Sequence, residues 1–164
     1  MPVEARPAQG VKASVLAYIG LGANLGDPRA AVTAAIRSIA ALPGIRLTRQ
    51  SSLYGSAPID AGGGDYVNAV VEVQTPLEPH ALLAQLQVIE NAAGRARPYR
   101  NAPRTLDLDV LLYDALALNN ADLVLPHPRM WERAFVLRPL AEIAPALVSP
   151  AQLQAVADQS VWVL

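Results

Sequence analysis

The chain has 164 residues, with 14 acidic and 13 basic side chains, no cysteine, 52% apolar residues and 16% charged ones. That is one domain's length, and a chain of about 150 residues buries roughly 68–70% of its unfolded surface, so a hydrophobic core suffices without covalent staples. The absence of cysteine excludes disulfides, thiolate nucleophiles and cysteine-ligated zinc, and a net charge of −1 argues against nucleic-acid or membrane binding through bulk positive charge.

Of the basic residues only Lys12 is lysine, and the rest are arginine. Residues 1–14 lack the apolar segment of a secretory signal, and no apolar run reaches the roughly 18 residues of a membrane helix. The expectation is a cytoplasmic protein with a disordered extension over residues 1–13 and one domain over residues 14–164.

In chain order, residues 15–19 form a short apolar run and predict a buried strand, ended by Gly20-Leu21-Gly22-Ala23-Asn24-Leu25-Gly26 as a tight turn. Asp27 and Pro28 are a helix cap and first helical position, followed by Val32, Ala35, Ile36 and Ile39 at helical spacing up to Pro43-Gly44. Ile45, Leu47 and Leu53 predict a strand, residues 56–65 a mobile loop around Pro58 and three glycines, and residues 66–75 a strand alternating Val67, Ala69, Val71 and Val73 with Asn68, Glu72 and Gln74. A second helix carries Leu82, Leu83, Leu86 and Ile89 and stops near Gly94. Residues 95–103 read as a second mobile loop and residues 105–113 as a strand. After them come a turn at Asn119-Asn120, a short strand over residues 123–125, and helical segments around Met130 and over residues 134–143. The order β-α-β-β-α-β with helical additions is the ferredoxin-like α+β pattern: a mainly antiparallel sheet with helices on it, in three layers, α-β-α.

The glycine-rich stretch fails two nucleotide-binding tests. Its glycines at 20, 22 and 26 do not make G-x-G-x-x-G, with no acidic residue between Asp27 and Asp60 for a ribose, and a phosphate-binding loop needs a lysine that is absent there. What remains is a strand-to-helix turn, or a ligand contact through Asn24 or a backbone amide.

The stronger constellation is Arg95, Arg97, Arg100 and Arg104, followed at once by Asp107 and Asp109. Clustered guanidinium groups are tolerated when solvated or when a polyanion neutralises them. Two aspartates two apart on a strand project from one face, and a pair of carboxylates plus phosphate oxygens suits Mg²⁺. The alternative, a polar outer strand face, sits poorly with the rarity of Asp in strands. Together the two groups point to phosphoryl transfer from a metal–nucleotide complex, which works by positioning and charge stabilisation.

Arg100-Asn101-Ala102-Pro103-Arg104-Thr105-Leu106-Asp107-Leu108-Asp109-Val110-Leu111 resembles the signature of the 6-hydroxymethyl-7,8-dihydropterin pyrophosphokinases. The resemblance spans residues 17–145, through the glycine-rich motif, Asp65-Tyr66-Val67-Asn68, Ile89-Glu90, Gly94-Arg95-Ala96-Arg97, Pro126-His127-Pro128-Arg129-Met130 and Arg133-Ala134-Phe135-Val136-Leu137. It implies transfer of the terminal pyrophosphate of ATP to the hydroxymethyl group of a dihydropterin, releasing AMP, with two Mg²⁺ ions, in folate biosynthesis. By position it implies Asp107 and Asp109 as metal ligands and Arg95 and Arg104 as loop arginines that steady the polyphosphate during transfer. Arg97, His127 and Arg133 match positions around the triphosphate, and Gln87 and Glu90 match the nucleotide side. Asn24, Ser56, Ile59, Tyr66, Asn68 and Phe135 match the pterin pocket, with Ser56 where the family often has Thr. It also implies a monomer with no nucleic-acid or membrane partner.

The residue types suit these roles, because a flat pterin wants aromatic faces and an edge-reading amide, and Phe135 is the chain's single phenylalanine. On their own, Phe135 is an ordinary core aromatic and His127 a loop histidine; Trp131 and His80 stay structural or surface residues. Two positions depart from the family. Asn101-Ala102 replaces a common Trp-Gly, removing an aromatic that helps the loop close, so that either the closed state is less ordered or another residue such as Tyr99 substitutes; Pro128 stands where some members carry a tyrosine, so no phosphate contact is assigned there. The competing classes are a ferredoxin-like RNA-binding module, which needs aromatics on its central strands, and a catalytically silent ATP- or pterin-binding regulator, against which the intact Asp pair speaks.

Overall fold

The computed structural model describes residues 13–58, 64–94 and 106–164. Its central strand, β1 (Val15–Ala23), continues through Gly20 and Gly22, and the chain turns afterwards, at Gly26, whose φ of 62° lies in the left-handed region. The tight turn expected at Gly20 is thus corrected: neighbouring strands hold β1 extended on both sides as far as Gly22.

Asp27 caps α1 (Pro28–Ala40) by accepting from the Ala30 N–H at 3.1 Å, and Val32, Ala35, Ile36 and Ile39 form its buried face. Next come β2 (Arg46–Gln50), β3 (Tyr54–Ser56), β4 (Tyr66–Thr75), α2 (Pro79–Gly94) and β5 (Asp107–Tyr113). The main sheet runs β5-β1-β4-β3, all pairs antiparallel, with β2 also on β4, so β2 and β3 together fill one interrupted strand position beside β4. This is the expected ferredoxin-like order. Beyond it lie the hairpin β6 (Leu118–Asn119) and β7 (Val124–Leu125), a 3₁₀ turn over Met130–Glu132, α3 (Ala134–Ile143) and α4 (Pro150–Ala155), the last closed by a Ser149/Gln152 capping box. A final strand, β8 (Val161–Val163), pairs with β3 and extends the sheet by one.

Two cores flank the sheet. Ile19, Leu21, Val71 and Val73 pack under α1 and α2, while Tyr18, Val70 and Leu111 pack under α3 with Leu137 and Leu140. The alternation on β4 therefore does not separate core from solvent as its sequence suggests: Asn68 and Glu72, on the polar side, are 4% and 7% exposed. The layer that α3 adds is what buries them.

Among the described residues, no helix is long and apolar enough to cross a membrane. Residues 1–12, most of the expected extension, lie outside the described residues.

Candidate active site

Two rows across the sheet build the floor of the site. In the antiparallel register Gly22 sits between Asp107 on β5 and Asn68 on β4, and Gly20 sits between Asp109 and Val70. Cross-strand neighbours point to the same face, so two carboxylates and an amide rise around a central strand that carries no side chains there. A Cβ added at Gly22 would lie 3.0 Å from Asn68 Nδ2, and one at Gly20 would meet the Leu111 side chain at 3.4 Å. Glycine in a strand marks close backbone approach, and here it opens a floor.

Above this floor is a cavity of about 370 Å³. Asp107 and Asp109 line it from β5, Ser56, Tyr66 and Asn68 from β3 and β4, and Arg133 and Phe135 from the start of α3. Seven residues singled out from the sequence thus meet in one place. The Ser56 hydroxyl donates to Asn68 Oδ1 at 2.6 Å, and both side chains are buried, which leaves the Asn68 NH₂ directed toward Gly22. The Arg133 guanidinium stacks 5.4 Å from the Phe135 ring centroid, and its buried Nε has no hydrogen-bond partner among the described residues. A buried, unpartnered cationic donor costs free energy until an anion satisfies it.

His127 stands at the edge of the acidic pair. Its backbone N–H donates to Leu111 O at 2.9 Å, its Nδ1 accepts from the Arg129 N–H at 3.2 Å, and its Nε2 lies 3.9 Å from Asp109 Oδ1. An accepting Nδ1 leaves the ring proton on Nε2, aimed at Asp109. Burial lowers the His127 pKa, Arg133 and Arg129 lower it further, and Asp109 opposes them.

Other expected site residues lie outside the cavity lining. Gln87 is exposed on α2. Glu90 Oε2 accepts from the Leu108 N–H at 2.7 Å, which ties the end of α2 to the strand residue between the two aspartates. Asn24 Nδ2 reaches Gly64 O at 3.5 Å across the rim. Ile59, Arg95, Arg97 and Arg104 lie outside the described residues, as do Arg100, Tyr99 and the Asn101-Ala102 departure. Two contributors went unrecognised in the sequence: the Gly20/Gly22 floor, and Arg129, which lines the cavity with its Nε 3.8 Å from Glu132 Oε1.

The donor set suits a hard divalent cation. Asp109 is half-exposed and shares a strand face with Asp107, and no group of three or more His, Cys, Asp or Glu residues among the described residues could cage an ion alone. Two carboxylates that leave the remaining positions to water and phosphate oxygens are what Mg²⁺ commonly takes.

The sequence model of the 7,8-dihydro-6-hydroxymethylpterin-pyrophosphokinase family matches residues 18–145. A Methylorubrum extorquens protein named 2-amino-4-hydroxy-6-hydroxymethyldihydropteridine pyrophosphokinase is 47% identical over 133 residues, covering 80% of this chain and 84% of its own length. A Haemophilus influenzae protein of the same name is 46% identical over 137 residues, covering 83% and 86%. Among solved structures, a Plasmodium falciparum HPPK-DHPS triple mutant with pteroate aligns with a TM-score of 0.66 over 84% of this chain at 12% identity, a likeness of fold. This chain spans 41% of that one.

Proposed function

The chain belongs to the 7,8-dihydro-6-hydroxymethylpterin-pyrophosphokinase family, and on that premise we propose that it carries out Mg²⁺-dependent transfer of the terminal pyrophosphate of ATP to 6-hydroxymethyl-7,8-dihydropterin. The products are AMP and the pterin diphosphate. One observation carries this reading: a carboxylate pair and an arginine whose buried Nε has no partner among the described residues line the same cavity as an aromatic and amide wall.

The pterin ring lies between Tyr66 and Phe135, with the Asn68 NH₂, oriented by Ser56, donating to its edge. Arg133 turns its guanidinium to the polyphosphate, and by family position His127, beside Asp109, approaches the same group. Arg129, at the cavity wall, adds a second cation. By family position, Arg95, Arg97 and Arg104 approach the triphosphate from the intervening segment, Ile59 and Asn24 the pterin, and Gln87 and Glu90 the nucleotide. Asp107 and Asp109 would hold magnesium, which when bound neutralises the polyphosphate and favours in-line attack by the pterin hydroxyl. The oxygen–phosphorus bond forms at the β-phosphorus as its bond to the α-phosphate oxygen breaks, so AMP leaves with that oxygen and the hydroxyl proton is released to solvent.

Incubation with ATP, Mg²⁺ and the reduced hydroxymethyl pterin should give AMP and pterin diphosphate in equal amounts, and excess EDTA should stop both. ADP as the nucleotide product would mean transfer of a single phosphoryl group and would overturn the assignment.

A further inference from the structure

Arg133 occupies an unusual junction. It is the residue between the 3₁₀ turn and α3, with φ −123° and ψ 111°, and its own side chain caps nothing. The first N–H groups of a helix have no intrahelical acceptor. Here the cap comes from far along the chain: the Gln159 Oε1 accepts from the Ala134 N–H at 2.9 Å, and its Nε2 donates to Glu132 O at 2.9 Å. One side-chain amide therefore grips the peptide groups on both sides of Arg133. With two bonds in opposite senses, it fixes the backbone rotation that sets the Arg133 Cα–Cβ direction.

Gln159 is itself held. Its N–H donates to Val156 O at 3.1 Å, and the residues after it join the sheet, Ala57 N–H donating to Ser160 O at 3.3 Å and β8 pairing with β3. The segment lies beyond the matched residues 18–145.

We propose that Gln159 is a positioning residue that aims Arg133 into the cavity, and that the C-terminal segment thereby sets the affinity of the site for a nucleoside polyphosphate. The proposal rests on the reading of Arg133 as a polyphosphate contact. Because the Arg133 Nε has no partner among the described residues, its direction depends on Phe135 stacking and on this backbone grip.

The test is a double-mutant cycle on ATP binding with Mg²⁺, measured by calorimetry on Gln159→Leu, Arg133→Met and the double variant. A purely structural role for Gln159 would weaken ATP binding equally in both backgrounds. The expected result is that Gln159→Leu raises the Kd for ATP about threefold to tenfold when Arg133 is present, the scale of one or two hydrogen bonds, and leaves it unchanged when Arg133 is Met. Equal effects in both backgrounds, or no effect with Arg133 present, would overturn the proposal while leaving the role of Arg133 intact. An unchanged Kd in Arg133→Met alone would sink the polyphosphate reading of Arg133 and the proposal with it. Should Gln159→Leu fail to fold, Gln159→Glu keeps the acceptor for Ala134 and sets a second oxygen against the Glu132 carbonyl. The same dependence on Arg133 is expected, and its absence counts against the proposal.

Discussion

The two faces of the sheet are made by the same strands and obey different rules. Under α1 and α2 every inward position is filled: Ile19 and Val71 are fully buried and apolar, and Leu21 is nearly so. Under α3 the alternate positions of the same strands read Tyr18, Gly20 and Gly22 on β1 and Asn68, Val70 and Glu72 on β4. One face is selected for density, and the other trades density for a cavity and for buried polar groups that must each find a partner. Glu72 shows the rule, accepting from the Tyr18 hydroxyl and from Thr48 Oγ1 at 2.8 Å, with Arg49 Nε 3.8 Å away. Stability and catalysis are thus divided between residues only one position apart, and substitution can separate them.

The sharpest separation is on β5, where Asp109 faces the cavity and Leu108 the core. Asp109→Ala should lower Mg²⁺-dependent AMP formation by at least about a hundredfold, with the melting temperature retained. Full turnover in that variant would remove the metal role. On β1, Ile19→Ala should do the reverse, costing about 2–5 kcal/mol in denaturant unfolding through a cavity in the closed face, with normal activity per folded molecule. A loss of kcat matching the loss of stability would show that the two faces are not separable.

Gly22→Ala makes a finer cut. Its backbone is ordinary strand, so the added methyl costs little in conformation, but it would crowd the Asn68 NH₂ from 3.0 Å. The pterin Kd should rise by a few-fold, on the order of one weakened hydrogen bond, while ATP affinity stays unchanged. Parallel losses in both affinities would place the effect in the strand as a whole.

How much of this was legible depended on the range of the interaction. α1 was readable because Asp27, Pro28 and the 32-35-36-39 spacing are local signals, and the Asp107/Asp109 pair was readable because strand alternation fixes its geometry. Gly20 and Gly22 misled, since glycine marks both turns and bare strand floors and only the flanking β4 and β5 decide between them. β8 was missed: Val161, Trp162 and Val163 are too short a run to declare a strand, and the partner that makes them one is more than a hundred residues away. Gly55 carries the matching signal, since a Cβ there would overlap the Trp162 indole, yet nothing local links the two. The capping box at Ser149 and Gln152 is a purely local signal, a serine followed three residues later by glutamine. The place of Arg129 on the cavity wall follows from the 3₁₀ turn and not from any periodicity that the sequence carries.

The smallest expected effect concerns the link between α3 and the β3 edge of the cavity. Glu142 on α3 accepts from the Ser52 N–H at 3.1 Å, Ser52 Oγ at 3.0 Å and the Tyr54 hydroxyl at 2.7 Å, and Arg138 lies over the Tyr54 ring with its guanidinium 5.8 Å from the centroid. Burial pushes the Glu142 pKa up, but the hydrogen bonds from Tyr54 and Ser52 outweigh it and leave the pKa below its ordinary value. Burial, together with the bond to Glu142, pushes Tyr54 up to about 12. A carboxyl whose pKa is lower folded than unfolded stabilises the fold fully above the ordinary value of about 4.3, and that contribution is lost as pH falls through the lower folded value. Tyr54 acts in the opposite range, stabilising the fold below about pH 10 and losing that contribution as pH rises toward 12. Glu142→Gln should therefore melt slightly below the wild type at pH 7, with the gap closing at pH 4 and below as the wild-type carboxyl takes up its proton. Because the affected contacts hold β3, the pterin Kd of Glu142→Gln should shift more than its ATP Kd. A melting gap that stays constant from pH 7 to pH 3 would show that the Glu142 charge contributes nothing, and that packing alone holds α3 against the strand that carries Ser56.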